Sequence, residues 1–347
     1  GMAGVMPQST SLDDFFNKLE RGTDFVTEIP KDRWDWRGLG QEDMRWGAFM
    51  NDIDTFDNEF FSISPREAEL MDPQQRIMLE CVWHTIEDAG YKASELRGSN
   101  MGIFVGVSTM DYTDLSKKNG IPVSGYTSTG RAHSVLANRI SYLYDFHGPS
   151  EPVDTACSSS LIAIIRGVKS IQSGDCDTVI AGGVNVIASD DLYVAFSKSG
   201  MLAKDGKCKP FDEKANGYVR GEGVGAVMLK SLSKAEQDGD HIYAVVRGCG
   251  INHGGHASSL TAPNSAAQAQ LIIDTYQKSN INPLDVTYIE AHGTGTKLGD
   301  PVEIEGLKKA FKKLYEMNRI TSFEEGYCNI GSVKSNIGHL ESAAGIA

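Results

Sequence analysis

The chain has 347 residues, 40% of them apolar and 23% charged, with a formal net charge of −13 at pH 7 and a pI near 5.1. That balance supports one large or two modest cored domains and disfavours nucleic acid and anionic membrane as partners, leaving room for an acidic partner on a local basic patch. No apolar run approaches the roughly 18 residues of a membrane span; residues 1–4 lack the segments of a secretion signal; and six cysteines with no C-x-x-C pair fit a reducing cytosol, not a zinc or redox motif.

In chain order, Ser11 caps a short helix that stops near Gly22. Residues 23–70 read as irregular, anchored by Trp34, Trp36 and Trp46. Asp72-Pro73-Gln74 opens a stronger helix that ends near Gly90. Residues 101–107 read as a buried strand, 131–144 as a helix, and 151–155 as a short strand leading into Cys157. Leu161, Ile162, Ile164, Ile165, Val168 and Ile171 then predict a helix buried on all sides. Strands are expected over 178–187, 224–230, 242–246 and 286–290, with a helix over 266–278. Asp300-Pro301 is expected to cap a helix to about Tyr315. Its Lys308, Lys309, Lys312 and Lys313 read as a solvated face before they read as a docking patch. A last strand leads to Lys334. Strands alternating with helices, several apolar on both faces, indicate an α/β protein with layered, buried sheets. Residues 1–4 are expected to start outside any strand and residues 342–347 to stop inside a buried helix, so a fragment is expected.

The chemistry concentrates in three turns. Cys157 lies in Asp154-Thr155-Ala156-Cys157-Ser158-Ser159-Ser160-Leu161, at a strand-to-helix junction where a helix N-terminus is expected to lower the thiol pKa. Small neighbours leave room for a thioester, and the Cys157 N–H can face its carbonyl oxygen. His292, in Ala291-His292-Gly293-Thr294-Gly295-Thr296, follows a strand end; a neutral imidazole there can donate to an enolate oxygen, and Thr294 and Thr296 suit an extended amide-bearing arm. His339 follows Lys334-Ser335-Asn336-Ile337-Gly338. Lys334 is expected to keep a neighbouring histidine neutral, with Glu303 as its counter-ion. Taken singly, His292 is more often a structural histidine and Lys334 a surface lysine, and a junction cysteine such as Cys157 is suggestive only; the constellation is what points to acyl transfer. Three other patterns carry less. Gly221-Glu222-Gly223-Val224-Gly225 precedes a strand, unlike a nucleotide loop. His253-Gly254-Gly255-His256 lacks a third metal ligand. Asp154 has no histidine bracketed for a triad.

The three turns together resemble the β-ketoacyl synthase domain of modular polyketide synthases, supported by Ile29-Pro30-Lys31-Asp32-Arg33-Trp34, Met71-Asp72-Pro73-Gln74-Gln75-Arg76, Gly217-Tyr218-Val219-Arg220-Gly221-Glu222-Gly223 and Leu298-Gly299-Asp300-Pro301-Val302-Glu303. The resemblance implies a thiolase-like α/β fold of five αβαβα layers built from two similar halves, and a homodimer. Residues 1–250 would be the N-terminal half with Cys157, and 251–347 the start of the C-terminal half with His292 and His339. Truncation at both ends would remove a first strand and a C-terminal glycine-rich loop, leaving these residues alone inactive.

The resemblance also implies roles. Cys157 takes an acyl chain from an acyl carrier protein. His292 and His339 promote decarboxylation of malonyl carrier protein and stabilise the enolate. Lys334, paired with Glu303, orients the site, and Thr294 and Thr296 contact the phosphopantetheine arm that the carrier delivers. No cofactor or metal is expected on the domain itself. Neighbouring polyketide synthase domains are expected partners, and the location is cytoplasmic. Gly148-Pro149-Ser150-Glu151-Pro152 and Asn252-His253-Gly254-Gly255-His256 resemble ketosynthases whose acyltransferase acts in trans. One alternative is a non-elongating ketosynthase that only relays acyl chains, signalled by loss of the histidine that His292 fills here. Another is a coenzyme A-dependent thiolase, which commonly carries a second site cysteine.

Overall fold

A computed structural model describes residues 1–40 and 42–347. The strands are β1 (Met2–Val5), β2 (Thr27–Glu28), β3 (Trp46–Ala48), β4 (Met101–Gly106), β5 (Ser150–Val153), β6 (Thr178–Asn185), β7 (Arg220–Gly221), β8 (Gly223–Lys230), β9 (Tyr288–Glu290) and β10 (Asn329–Gly331). The helices are α1 (Leu12–Glu20), α2 (Pro65–Leu70), α3 (Pro73–Asp88), α4 (Asp111–Lys118), α5 (Thr127–Arg131), α6 (His133–Tyr144), α7 (Ser159–Ser173), α8 (Asp191–Lys198), α9 (Leu232–Asp238), α10 (Ser265–Lys278), α11 (Gly299–Met317) and α12 (Lys334–Ile337). No described helix is long and apolar enough to cross a membrane.

The centre is a mixed five-stranded sheet in the order β1-β8-β6-β4-β5. β4 runs parallel to β5 and β6, whereas β8 runs antiparallel to β6 and β1. Side chains alternate across it, as a period of two demands. Ile103 and Val105 pack with Met78, Leu79 and Val82 of α3, while Phe104, Val179 and Ala181 pack with Ala163 of α7 on the other face. A three-stranded sheet, β2-β3-β7, and a parallel pair, β9-β10, complete the strand pairing among the described residues. Ser11 and Asp72 cap α1 and α3 as expected: their side chains accept from Asp14 N and Gln74 N.

Several expectations are corrected. Residues 2–5 form an edge strand, Met2 opposite Val227 through Val5 opposite Val224, because β8 offers a free ladder and Ala3 and Val5 pack on the core. Residues 242–246 form no strand. Their β-prone composition has no ladder to join, and Ile242, Tyr243, Val245 and Val246 are exposed. Residues 23–70 are less irregular than expected, since they hold β2, β3 and α2. The helix expected over 131–144 breaks at Ala132, which is extended (ψ 129°). α7 is buried on one face only: Ser160, Ala163 and Gly167 meet the sheet, while Leu161 is 51% exposed and Arg166 and Lys169 face solvent. A Cβ on Gly167 would sit 2.7 Å from Val179, so that face must be small. Asp300 does not cap α11; its carboxylate accepts from Phe211 N (2.8 Å) and Gly295 N (3.2 Å). Residues 341–343 form a 3₁₀ turn and 344–346 a further turn, where a buried α-helix was expected. The basic face of α11 pairs along its own helix, Lys309 with Glu305 and Lys313 with Glu316.

Candidate active site

The Cys157 turn is built from short side chains bonding back to their own backbone. The Ser159 hydroxyl donates to Ala156 O (2.6 Å) and accepts from Thr155 N (2.9 Å), and Ser158 Oγ donates to Thr155 O (2.9 Å). Ala156 takes a left-handed φ of 54°, a strained setting for a residue with a Cβ, and so turns the next side chain out of the strand path. The turn is pressed against the sheet at Gly106, where a Cβ would lie 2.5 Å from Ser160 N. Asp154 accepts from Ser108 Oγ and Ala156 N and meets no histidine.

His292 lies just past β9, and Lys334 opens α12 just past β10. Because these two strands are parallel, with Glu290 opposite Gly331, both groups emerge at one sheet end. Glu303 holds the His292 turn: its two carboxylate oxygens accept from His292 N (2.7 Å) and Gly293 N (2.9 Å). The Lys334–Glu303 ion pair is therefore corrected. Glu303 grips backbone, and Lys334 makes no carboxylate contact within 4 Å among the described residues. Burial lowers the Lys334 pKa, opposed first by Glu290 and then by Cys157, Cys208 and Glu303. Thr294 Oγ1 lies 3.2 Å from Thr296 Oγ1, which also accepts from Gly299 N (3.1 Å) at the start of α11.

His339 is fixed from three directions. Its N–H donates to Val219 O (2.7 Å), its carbonyl accepts from Gly221 N (2.8 Å), and its Nδ1 accepts from Glu341 N (2.9 Å). An imidazole that accepts at Nδ1 and is neutral carries its proton on Nε2. Neutrality follows from the surroundings: burial pushes the His339 pKa well down, and His292, Lys334 and Arg220 push it further. His292 is likewise driven down to about 4 by desolvation of its ring and then by Lys334, although the residue as a whole is exposed.

The sulfur and both imidazoles converge. Cys157 Sγ and one nitrogen of each ring lie within 4.8 Å of one another, and the rings meet edge-on with centroids 5.3 Å apart. The expected lowering of the Cys157 pKa is corrected. Burial raises it, against its own N–H and Lys334, so the sulfur rests as a thiol. A zinc-sized cation could bridge donors so spaced. The chemistry opposes that, because the ring nitrogen of His339 left free is protonated and Lys334 adds a positive charge. A cleft of about 1190 Å³ beside Phe60, Trp83 and Tyr142 contains none of these residues. Neither do the exposed His253 and His256; His253 Nδ1 accepts from Gly255 N.

Residues missed in sequence surround the site. Arg220, fully buried, pairs with Glu341 through Nε (2.5 Å) and Nη2 (3.2 Å). Glu222, also fully buried, takes both terminal nitrogens of Arg33 and accepts from Met50 N and Ile187 N. The readable signal was two opposite charges two residues apart in a glycine-rich apolar stretch, where neither can stay unpaired.

Comparison with known proteins agrees with this geometry. The family descriptions "Beta-ketoacyl synthase, N-terminal domain" and "Beta-ketoacyl synthase, C-terminal domain" match residues 1–235 and 243–347. The chain belongs to the β-ketoacyl synthase family. It is 51% identical to Polyketide synthase PksN and 46% identical to Polyketide synthase PksM, both of Bacillus subtilis, over its whole length, but spans only 6% and 8% of those proteins. A ketosynthase from module 6 of the bacillaene synthase of Bacillus subtilis superposes with a TM-score of 0.89 at 37% identity. That match covers 99% of this chain and 58% of the solved one. The oxazolomycin ketosynthase domain OzmH KS7 of Streptomyces albus gives 0.92 at 42%, covering 99% and 60%. The fold is therefore thiolase-like α/β with mixed sheets.

Proposed function

We propose that the chain is the ketosynthase part of a polyketide synthase, joining an acyl group to a malonyl-derived unit. The observation that carries this reading is the convergence of one thiol and two neutral imidazoles, one of them with a defined N–H. In the first half-reaction, Cys157 S–H adds to an acyl thioester on a carrier protein's phosphopantetheine arm. The new S–C bond replaces the old one, and the thiol proton leaves on the carrier sulfur. In the second, malonyl carrier protein loses CO₂. The bonding pair moves into an enolate whose oxygen accepts from His339 Nε2–H and from His292. The enolate carbon then attacks the Cys157 thioester, the C–C bond forms, and the released thiolate regains a proton. Donors held in place before charge develops are worth roughly 10²–10³ in rate each.

Lys334 keeps both rings neutral, Glu303 orients the His292 turn, and Thr294 and Thr296 receive the carrier arm. Residues 1–250 act as the N-terminal half and 251–347 as the start of the C-terminal half. Elongation is favoured over relay because His292 is present and seated in the cluster. Residues 148–152 and 252–256 support an assembly line whose acyltransferase acts in trans, and the small share of the B. subtilis relatives that the chain spans supports neighbouring domains on the same chain; in this reading the unit lies in the cytoplasm as a homodimer. Intact-mass measurement with an acyl thioester donor tests the core of this reading. Wild type gains one acyl mass and Cys157→Ala gains none; equal gain by the variant would reject the nucleophile.

A further inference from the structure

We infer that the Glu341–Arg220 ion pair is the device that sets the proton position on His339, making Glu341 a positioning residue for the condensation step. The inference rests on the enolate-stabilising role of His339 proposed above, and it begins from a backbone oddity. Glu341 has a φ of 49°, in the left-handed region where a side chain with a Cβ is strained. Nothing local compensates: the 3₁₀ turn it opens is three residues long, and Leu340 before it supplies no side-chain cap. Its N–H nevertheless points at His339 Nδ1, 2.9 Å away.

The side chain accounts for the pose. Both carboxylate oxygens of Glu341 are held by Arg220, whose guanidinium is fully buried and lies over the rings of Tyr193 (4.7 Å) and Phe196 (5.3 Å). The same short segment fixes the other end, since Val219 O and Gly221 N bond the backbone of His339 on either side of Arg220. Residues 219–221 thus hold His339 by its backbone and hold, by one side chain, the residue two positions on whose N–H reads the ring. Gly338, at φ 70°, permits this approach; a Cβ there would lie 2.9 Å from Val219 O. With Nδ1 occupied as an acceptor, the neutral ring has one remaining tautomer and offers Nε2–H to the enolate oxygen. The other charged and titratable groups facing Arg220 are Asp111, whose carboxyl burial raises to about 7, Tyr193, Tyr218, which also lies against the His339 ring, and that ring itself, with Lys334 beyond it. None of them donates to Nδ1.

The test compares Glu341→Ala, Glu341→Gln and the double variant Arg220→Met/Glu341→Gln in the intact protein, with His339→Ala as reference. The double variant leaves no stranded buried charge, so it separates loss of the device from misfolding. Three quantities are read: acyl loading on Cys157, condensation with malonyl carrier protein, and the tautomer of ¹⁵N-labelled His339 by NMR. We expect Glu341→Ala and the double variant to lose roughly 10- to 100-fold in condensation, the range for removing a partner that orients a histidine, with loading reduced less than about threefold. We expect the His339 signals to move from Nε2–H alone to a mixture of tautomers, and Glu341→Gln to recover part of both. An unchanged His339 spectrum in Glu341→Ala and in the double variant overturns the inference, as does an equal fall of loading and condensation. If His339→Ala itself condenses normally, the functional reading fails instead, and the NMR arm still decides whether Glu341 sets the ring.

Discussion

The two histidine turns differ in how they are held. His339 is buried, bonded through its N–H, its carbonyl and its ring to residues 219, 221 and 341, and it sits against Tyr218 at 5.3 Å. His292 reaches solvent, its ring has no hydrogen-bond partner among the described residues, and its turn hangs from the carboxylate of Glu303. One ring has a defined proton and a defined direction. The other has neither its proton nor its direction set by a hydrogen bond among the described residues, and it rests edge-on against the His339 ring. For the proposed condensation the two can share the work: one donor fixed by the protein for the developing charge, and one with no protein partner on its ring.

The largest break in this comparison comes from the rings themselves. His339→Ala should cut condensation by about 10²–10⁴ and His292→Ala by about 10²–10³, both with acyl loading retained, because each ring stabilises a charge that appears after loading. His339→Ala should also lower the melting temperature, since it empties a buried, hydrogen-bonded site, whereas His292→Ala should leave melting nearly unchanged. Single-turnover extension assays with thermal melts check both halves, and equal melts for the two variants would erase the contrast.

A smaller effect is expected at Glu303. Glu303→Gln keeps one acceptor oxygen and loses the other, so one N–H of the 292–293 turn is left without its partner. Condensation should fall roughly 10- to 100-fold, as for outer groups that orient a histidine, and loading should hold. Normal extension by Glu303→Gln would mean that Gly293 packed against Ser332, where a Cβ would lie 2.6 Å away, suffices to set the turn.

The contrast explains what could be read from sequence. The Cys157, His292 and His339 turns were legible as short-range patterns, and so were the caps at Ser11 and Asp72, whereas Glu303, expected as the counter-ion of Lys334, binds the backbone of the 292–293 turn instead. Unreadable features depended on partners far along the chain. Arg220 and Glu341 are 121 positions apart, so neither announces the other. Residues 2–5 became a strand and 242–246 did not because strand formation is decided by an available ladder, not by composition. The helical character of residues 159–173 was plain, but its one-sided burial followed from the flat face of the sheet it met. The thiol pKa went the opposite way from expectation because desolvation outweighed the favourable charge near it.

Acidity offers a third probe. With its pKa near 4 against an ordinary 6.5, His292 stays neutral over most of the working range. Condensation should therefore be flat from about pH 7 to 5 and fall toward about tenfold per pH unit below 4. The sign for stability is the same: between about 4 and 6.5 the unfolded chain binds more protons, so this residue's contribution is complete above 6.5 and is lost as pH drops through 4. Asp111, raised to about 7 by burial, has the opposite slope over much of that window. The informative measurement is thus the difference between wild type and His292→Ala, in which Asp111 cancels. Wild type should lose ground to the variant as pH falls from 6.5 to 4; a difference constant with pH would place the His292 ring in water and dissolve its share of the site.

The mildest prediction separates the two threonines. Thr294 is buried at 7% exposure and its hydroxyl has Thr296 as its one hydrogen-bond partner among the described residues, whereas the Thr296 hydroxyl also accepts from Gly299 N where α11 begins. If both contact the carrier arm, Thr294→Val and Thr296→Val should each raise KM for the carrier thioester by up to about tenfold with kcat nearly intact, the size of one neutral hydrogen bond. Only Thr296→Val removes an acceptor from the start of α11, so it alone should cost a further ~0.5–2 kcal/mol of stability. A KM rise without a melting change in Thr296→Val would show that the arm, and not the helix, owns that hydroxyl. A melting change without a KM rise would hand Thr296 to the fold and leave Thr294 as the arm's contact beside the His292 imidazole.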